Sequence, residues 1–141
     1  MPNWCENKLV VRGEEKDMAK FNKVIEKKVI RNDNGKIGDI LKAFVPIPKD
    51  QDDNWYQWCT DNWGTKWDVE CYEDARIDDD YVEFSFDSAW APPVTWLEKV
   101  AKKYPKLKFA LKYDEPGMCF MGCSKGSNGV IEDESIEYWE K

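Results

Sequence analysis

Two stretches of the chain place an apolar side chain at every second position: Tyr81–Asp87 (YVEFSFD) and Lys106–Tyr113 (KLKFALKY). A period of two marks a strand with one buried and one open face. Val82, Phe84 and Phe86 share one side of the first, and Leu107, Phe109, Leu111 and Tyr113 share one side of the second. Between them Pro92 and Pro93 suit the first turn of a helix, where no amide bond is lost. Val94, Leu97, Val100, Ala101 and Tyr104 then recur at helical spacing until Pro105 stops it. The second half of the chain therefore reads strand–helix–strand.

The first half repeats that order. Glu6–Arg12 reads as a strand, with Leu9 and Val11 on one face and Lys8, Val10 and Arg12 on the other. Glu14–Lys28 follows at helical spacing, its stripe formed by Met18, Phe21, Val24 and Ile25. Asn32–Gly38 is rich in turn formers, and the prolines in Leu41–Pro48 favour an irregular connector. Asp50–Trp63 predicts a short helix with a broad aromatic face (Trp55, Tyr56, Trp58, Cys59, Trp63), ended by Gly64. Trp67–Tyr72 alternates again and reads as a strand, with Trp67, Val69 and Cys71 on one side. Glu115–Met118 has the residues of a type II turn, after which Met118–Ser124 can pair back as an edge strand.

These elements predict an α+β chain: a ferredoxin-like split βαβ sandwich, with an antiparallel-rich sheet backed by two helices. An inserted Trp-rich helix and an extra C-terminal edge strand complete it. Residues 1–141 form one domain, with the insert at about 39–65 and an acidic C-terminal tail at about 131–141, where Ile136, Tyr138 and Trp139 offer docking side chains. In a sheet of that order the last main strand neighbours the first. The face away from the helices then carries Lys8, Arg12, Lys106, Lys108 and Lys112 on one half. Asp68, Glu70, Glu83 and Asp87 occupy the other half, and either cross-strand ion pairs or the Trp-rich insert cover the face.

Charge follows the same unevenness. The net formal charge is −7, which disfavours general affinity for phosphate backbones. Residues 1–49 carry 11 basic and 7 acidic groups, whereas residues 67–87 carry nine acids and only Arg76. Five cysteines without a disulfide framework point to reduced thiols, and MPNWCENKLVV lacks the basic-then-apolar pattern of a signal peptide. No window approaches the ~18 apolar residues of a membrane span. The expected location is a cytoplasm.

Few chemistries remain. There is no histidine, the commonest general base and metal ligand. Asp78, Asp79 and Asp80, beside Glu73 and Asp74, are consecutive residues of a charged turn and match no EF-hand loop. Cys119 and Cys123 are four apart, so no CxxC pair exists for zinc. The glycine-rich GCSKGSNG (residues 122–129) does not fit a phosphate-binding P-loop and reads as a mobile turn. No catalytic residue, metal ligand or cofactor site is assigned.

Eight tryptophans stand out instead, because Trp anchors either cores or interfaces. Trp63, Lys66, Trp67 and Asp68 lie together in NWGTKWD, and Trp90 lies in SAWAPP. They either cap the core beneath the insert or form an exposed patch for a partner.

The start MPNWCENKLVV, then FVPIP, NWGTKWD, FSFDSAWAPP with Trp96, and the late EPG with Gly122 resemble the YubB-like family of phage- and plasmid-encoded proteins. The resemblance implies a ferredoxin-like module and a mobile-element origin in a bacterial host, and it carries no catalytic residues. The leading expectation is a non-catalytic protein-binding module, acting on a host factor. The alternatives are a nucleic-acid-binding protein using the lysine-bearing half, or a small metal-dependent hydrolase or nucleotide-binding enzyme.

Overall fold

A computed structural model describes residues 2–31, 37–72 and 75–138. In chain order the elements are β1 (Trp4–Arg12), α1 (Glu15–Lys28), β2 (Ile30–Arg31), β3 (Ile37–Gly38) and α2 (Ile40–Phe44). A 3-10 turn (Lys49–Asn54) leads into α3 (Trp55–Trp63), then β4 (Arg76–Ile77), β5 (Tyr81–Ala89) and α4 (Val94–Lys103). Three strands close the chain: β6 (Lys108–Glu115), β7 (Phe120–Ser127) and β8 (Val130–Glu137).

Six strands form one antiparallel sheet in the order β4-β5-β1-β6-β7-β8. The central β5-β1-β6 order is that of a ferredoxin-like sheet, and the inward residues are those the alternation picks out. Leu9 and Val11 from β1, Val82, Phe84 and Phe86 from β5, and Phe109, Leu111 and Tyr113 from β6 are all buried. Met18, Phe21 and Ile25 of α1 and Trp96, Leu97, Val100 and Ala101 of α4 close over them. Phe21 is the hub, its ring 4.6 Å from Phe44 and 5.4 Å from Tyr104. Removing a ring so enclosed costs about 3–5 kcal/mol.

Four expectations are corrected. Residues 67–72 form no strand: burial alternates over Val69–Tyr72, but Trp67 is exposed rather than inward with Val69 and Cys71. A bridge from Cys71 to Phe86 is their ladder contact, and the two-residue β4 edges the sheet instead. Within Leu41–Pro48 the chain makes the end of α2, because Pro46 and Pro48 fall after its last turn. The C-terminal segment through Glu137 is a strand rather than a tail, so the sheet gains two extra strands. GCSKGSNG, read as a mobile turn, is strand β7 followed by a tight hairpin turn. Asn128 (φ 57°) and Gly129 (φ 80°) take the left-handed conformations of a type I′ turn there. Part of the Asn32–Gly38 turn, Glu73, Asp74 and Trp139 lie outside the described residues.

The motifs that carry the family resemblance lock the insert to one end of the sheet. Trp63 is buried and donates its indole N–H to the Val45 carbonyl at 2.9 Å. Trp96 does the same to Leu41 at 3.0 Å, and the Thr65 hydroxyl donates to Ala89 at 2.8 Å. Gly64, at φ 82°, ends α3 in the left-handed region, close to Pro92 and Thr95 of the opposite motif. Because α3 packs beside α4, the insert sits with the helical layer. It does not cover the open sheet face.

Candidate functional site

On the open face, strand register decides which side chains stand together. Glu6 of β1 lies opposite Asp87 of β5 on one side and Asp114 of β6 on the other. Three carboxylates from three strands thus form one row, although like charges facing each other across strands are destabilising. Hydroxyls hold the two ends. The Tyr72 hydroxyl donates to Asp87, and that bond, more than burial, pushes the Tyr72 phenol up to about 12. The Tyr138 hydroxyl donates to Asp114 at 2.6 Å.

Aromatic and apolar side chains surround the row. Trp4 points to the open face from the same end of β1, its ring 6.2 Å from that of Trp67. Trp4, Trp67 and Tyr72 are all exposed, as are Met121 and Ile136 beyond Asp114. Lys66 places its ammonium 4.4 Å from the Trp67 ring centre and 5.2 Å from that of Tyr56. The carboxylate row joins two shallow hollows. One, of about 360 Å3, is lined by Trp4, Glu70, Tyr72 and Asp87. The other, of about 620 Å3, is lined by Glu6, Lys8, Lys112, Asp114, Met121 and Ile136.

Further along the same strands the charge changes sign. Lys8 and Arg12 of β1 stand opposite Lys112 and Lys108 of β6, and Lys125 follows on β7. Lys8 reaches Glu83 at 3.7 Å. The face is therefore divided along its strands, with acids and aromatics at the Trp4 end and cations beyond. The sequence predicts a division between strands instead. Glu83 and Asp87 do lie on β5, but Glu70 is off the ladder and Lys106 precedes β6.

The residues singled out from sequence separate into two groups. Trp67 and Trp90 are exposed and Lys66 is half-buried, and Trp90 is held at φ 69° with its amide on the Asn3 carbonyl at 2.8 Å. Trp63 belongs to the core, since its ring is buried and its N–H is spent on Val45. Asp68 is structural too. Its carboxylate accepts the Leu41 and Lys42 amides at 2.8 and 2.9 Å, capping α2, and its own neighbour Val69 at 2.8 Å. Burial raises its pKa in spite of those three donors. Trp4, Glu6, Tyr72 and Asp114 are missed by sequence reading, because their meeting depends on register. The visible signal was the outward period of Glu6 with Lys8.

Cys5 is enclosed, and burial pushes its thiol up to about 12. Asp78 sits in the β4–β5 turn, its amide donating to the Tyr81 carbonyl and its carboxylate 2.6 Å from Arg76. No group of three or more Cys, Asp or Glu among the described residues is placed to hold a metal ion, and no helix among them is long and apolar enough to cross a membrane.

The fold has a counterpart in the crystal structure of the protein api92 from Yersinia pseudotuberculosis, of the family model DUF1281. The two superpose with a TM-score of 0.67 over 100% of this chain and 99% of that one, at 9% identity, a likeness of fold alone. No curated protein matches the chain. Residues 63–141, more than half of the sequence, match the family model described as the ferredoxin-like domain in Api92-like protein. By that match, and with β5-β1-β6 in ferredoxin-like order, the chain belongs to the family of Api92-like ferredoxin-like domains.

Proposed function

We propose that this chain is a non-catalytic protein-binding module whose partner docks on the Trp4 end of the open sheet face. The observation that carries the reading is the gathering of exposed Trp4, Trp67 and Tyr72 around the carboxylates of Glu6, Asp87 and Asp114. Exposed aromatics supply contact area at low entropic cost, and they also attract cations through their faces. A partner presenting lysine or arginine side chains matches both features. A nucleic-acid-binding protein is such a partner, because the carboxylate row offers it negative charge in a line. The resemblance to YubB-like proteins of phages and plasmids supports a host factor as that partner, met in the bacterial cytoplasm.

The test is capture from a bacterial lysate with tagged wild type, a Trp4→Ala/Trp67→Ala variant and a Glu6→Lys/Asp114→Lys variant. The wild type is expected to retain a stoichiometric protein that both variants lose. Equal capture by all three, or repeated capture of nothing, overturns the assignment.

A second reading, nucleic-acid binding, draws on Lys8, Arg12, Lys108, Lys112 and Lys125, five cations on three adjacent strands. It requires affinity that falls steeply with salt. Absence of binding to single- and double-stranded probes at low salt eliminates it.

A further inference from the structure

The two edges of the sheet are treated differently. At one edge β5 is covered, by β4 at Val82 and Glu83, by the Cys71–Phe86 bridge, and by the Tyr72 amide on the Ser85 carbonyl at 2.8 Å. At the other edge stands β8, and no strand among the described residues pairs with its outer side. Seven of its eight residues are exposed, Ile131 being half-buried. Its ladder with β7 runs without a bulge from Phe120↔Glu137 to Ser127↔Val130. Asp133 pins it, accepting the Tyr113 and Ser124 hydroxyls at 2.7 and 2.6 Å.

An edge of this length and regularity is a template for one more strand. The side chains say which strand. β8 carries Glu132, Asp133, Glu134 and Glu137 and no lysine or arginine. Paired with a second copy of itself it sets carboxylate against carboxylate, and each like-charged pair opposes the ladder. Lysine or arginine at alternate positions of an incoming strand instead lies against Glu132 and Glu134 on the open face. On the other face it lies against Asp133 and Glu137.

We propose that the outer edge of β8 accepts an extended, lysine- or arginine-bearing segment of a partner protein as a seventh strand. Backbone hydrogen bonds supply the pairing, and the acids of β8 reject self-pairing while selecting a basic guest. Glu134 and Ile136 of β8 line the larger hollow beside the carboxylate row, so this surface adjoins the Trp4 end of the sheet, but its backbone edge stands whether or not a partner docks there.

The probe is a capped peptide of alternating lysine and threonine, matched in length to the eight residues of β8. It is titrated into the full chain at low salt by fluorescence anisotropy, with amide hydrogen exchange followed by NMR. Saturable binding is expected, with added protection on β8 amides. N-methylating alternate peptide amides removes the backbone bonds while keeping every charge, and is expected to weaken binding at least about tenfold, because main-chain hydrogen bonds supply the affinity of an added strand. Glu132→Lys/Glu134→Lys is expected to abolish binding, and Trp4→Ala/Trp67→Ala to leave it unchanged. The proposal is overturned if the methylated peptide binds as well as its parent, if protection appears away from β8, or if no peptide binds. Wild-type dimerisation through β8 also overturns it.

Discussion

The indole rings of Trp4 and Trp67 lie 6.2 Å apart at an interplanar angle of 36°, joining the first strand to the end of the insert across an exposed surface. Such a pair is worth about 0.5–1.5 kcal/mol beyond the area it buries. A double-mutant cycle with Trp4→Ala and Trp67→Ala is expected to give a coupling energy in that range, measured by urea unfolding, while the circular dichroism of the fold stays unchanged. Coupling indistinguishable from zero shows that the two rings are independent.

Asp68 caps a helix to which it is not joined locally. Asp68→Ala leaves the Leu41 and Lys42 amides without their acceptor, and a lost cap of this kind costs about 1–2 kcal/mol. Fluorescence of Trp96, whose indole bonds to Leu41 in the same helix, is expected to shift as α2 loosens. An unchanged unfolding midpoint contradicts the cap.

Alkaline pH is expected to destabilise the protein, and the direction follows from where protons are held. Burial pushes Cys5 up to about 12 from 9.0, and the bond to Asp87 pushes Tyr72 up to about 12 from 10.0. Tyr113 is raised as well, by burial first and by its bond to Asp133 second. Each group binds its proton more tightly folded than unfolded, so its contribution is complete below the unfolded value and is lost as pH rises through the folded one. Unfolding free energy is therefore expected to hold steady near neutrality and to fall from about pH 9 upward, less steeply in Tyr113→Phe. A rise above pH 9 contradicts these assignments.

Thiol labelling separates the five cysteines by burial. Cys119 and Cys123 are partly exposed, whereas Cys5, Cys59 and Cys71 are buried. A thiol reagent is expected to modify two residues quickly in the native protein and the other three only after denaturation. Rapid labelling of Cys5, read by peptide mass mapping, contradicts its enclosure.

The match to the family model begins at residue 63, but β1, which lies outside it, sits between β5 and β6. Without β1, nine paired positions on β5 and seven on β6 lose their partners. A fragment of residues 63–141 is expected to be unfolded alone by circular dichroism, and to gain structure when a peptide spanning β1 and α1 is added. A cooperative unfolding transition of the fragment by itself shows that β1 is dispensable.

Local pattern was enough for the central framework. β1, α1, β5, α4 and β6 each carry their period in adjacent residues, because a strand or helix with one buried face must repeat that face in its own sequence. The same rule explains two failures. Val69 and Cys71 are buried in alternation, yet the chain there runs along the edge of the core, with Asp68 turned back to cap α2 rather than forming a ladder. β8 shows no apolar period because seven of its eight residues are exposed and Ile131 alone reaches the core, and its local signal was the Asn128–Gly129 turn. Amino-acid order alone thus determined the layered α+β plan and the absence of histidine chemistry. Tertiary structure alone decided that Glu6, Asp87 and Asp114 stand in one row beside Trp4 and Trp67, since register between strands distant in the chain depends on the whole core packing at once.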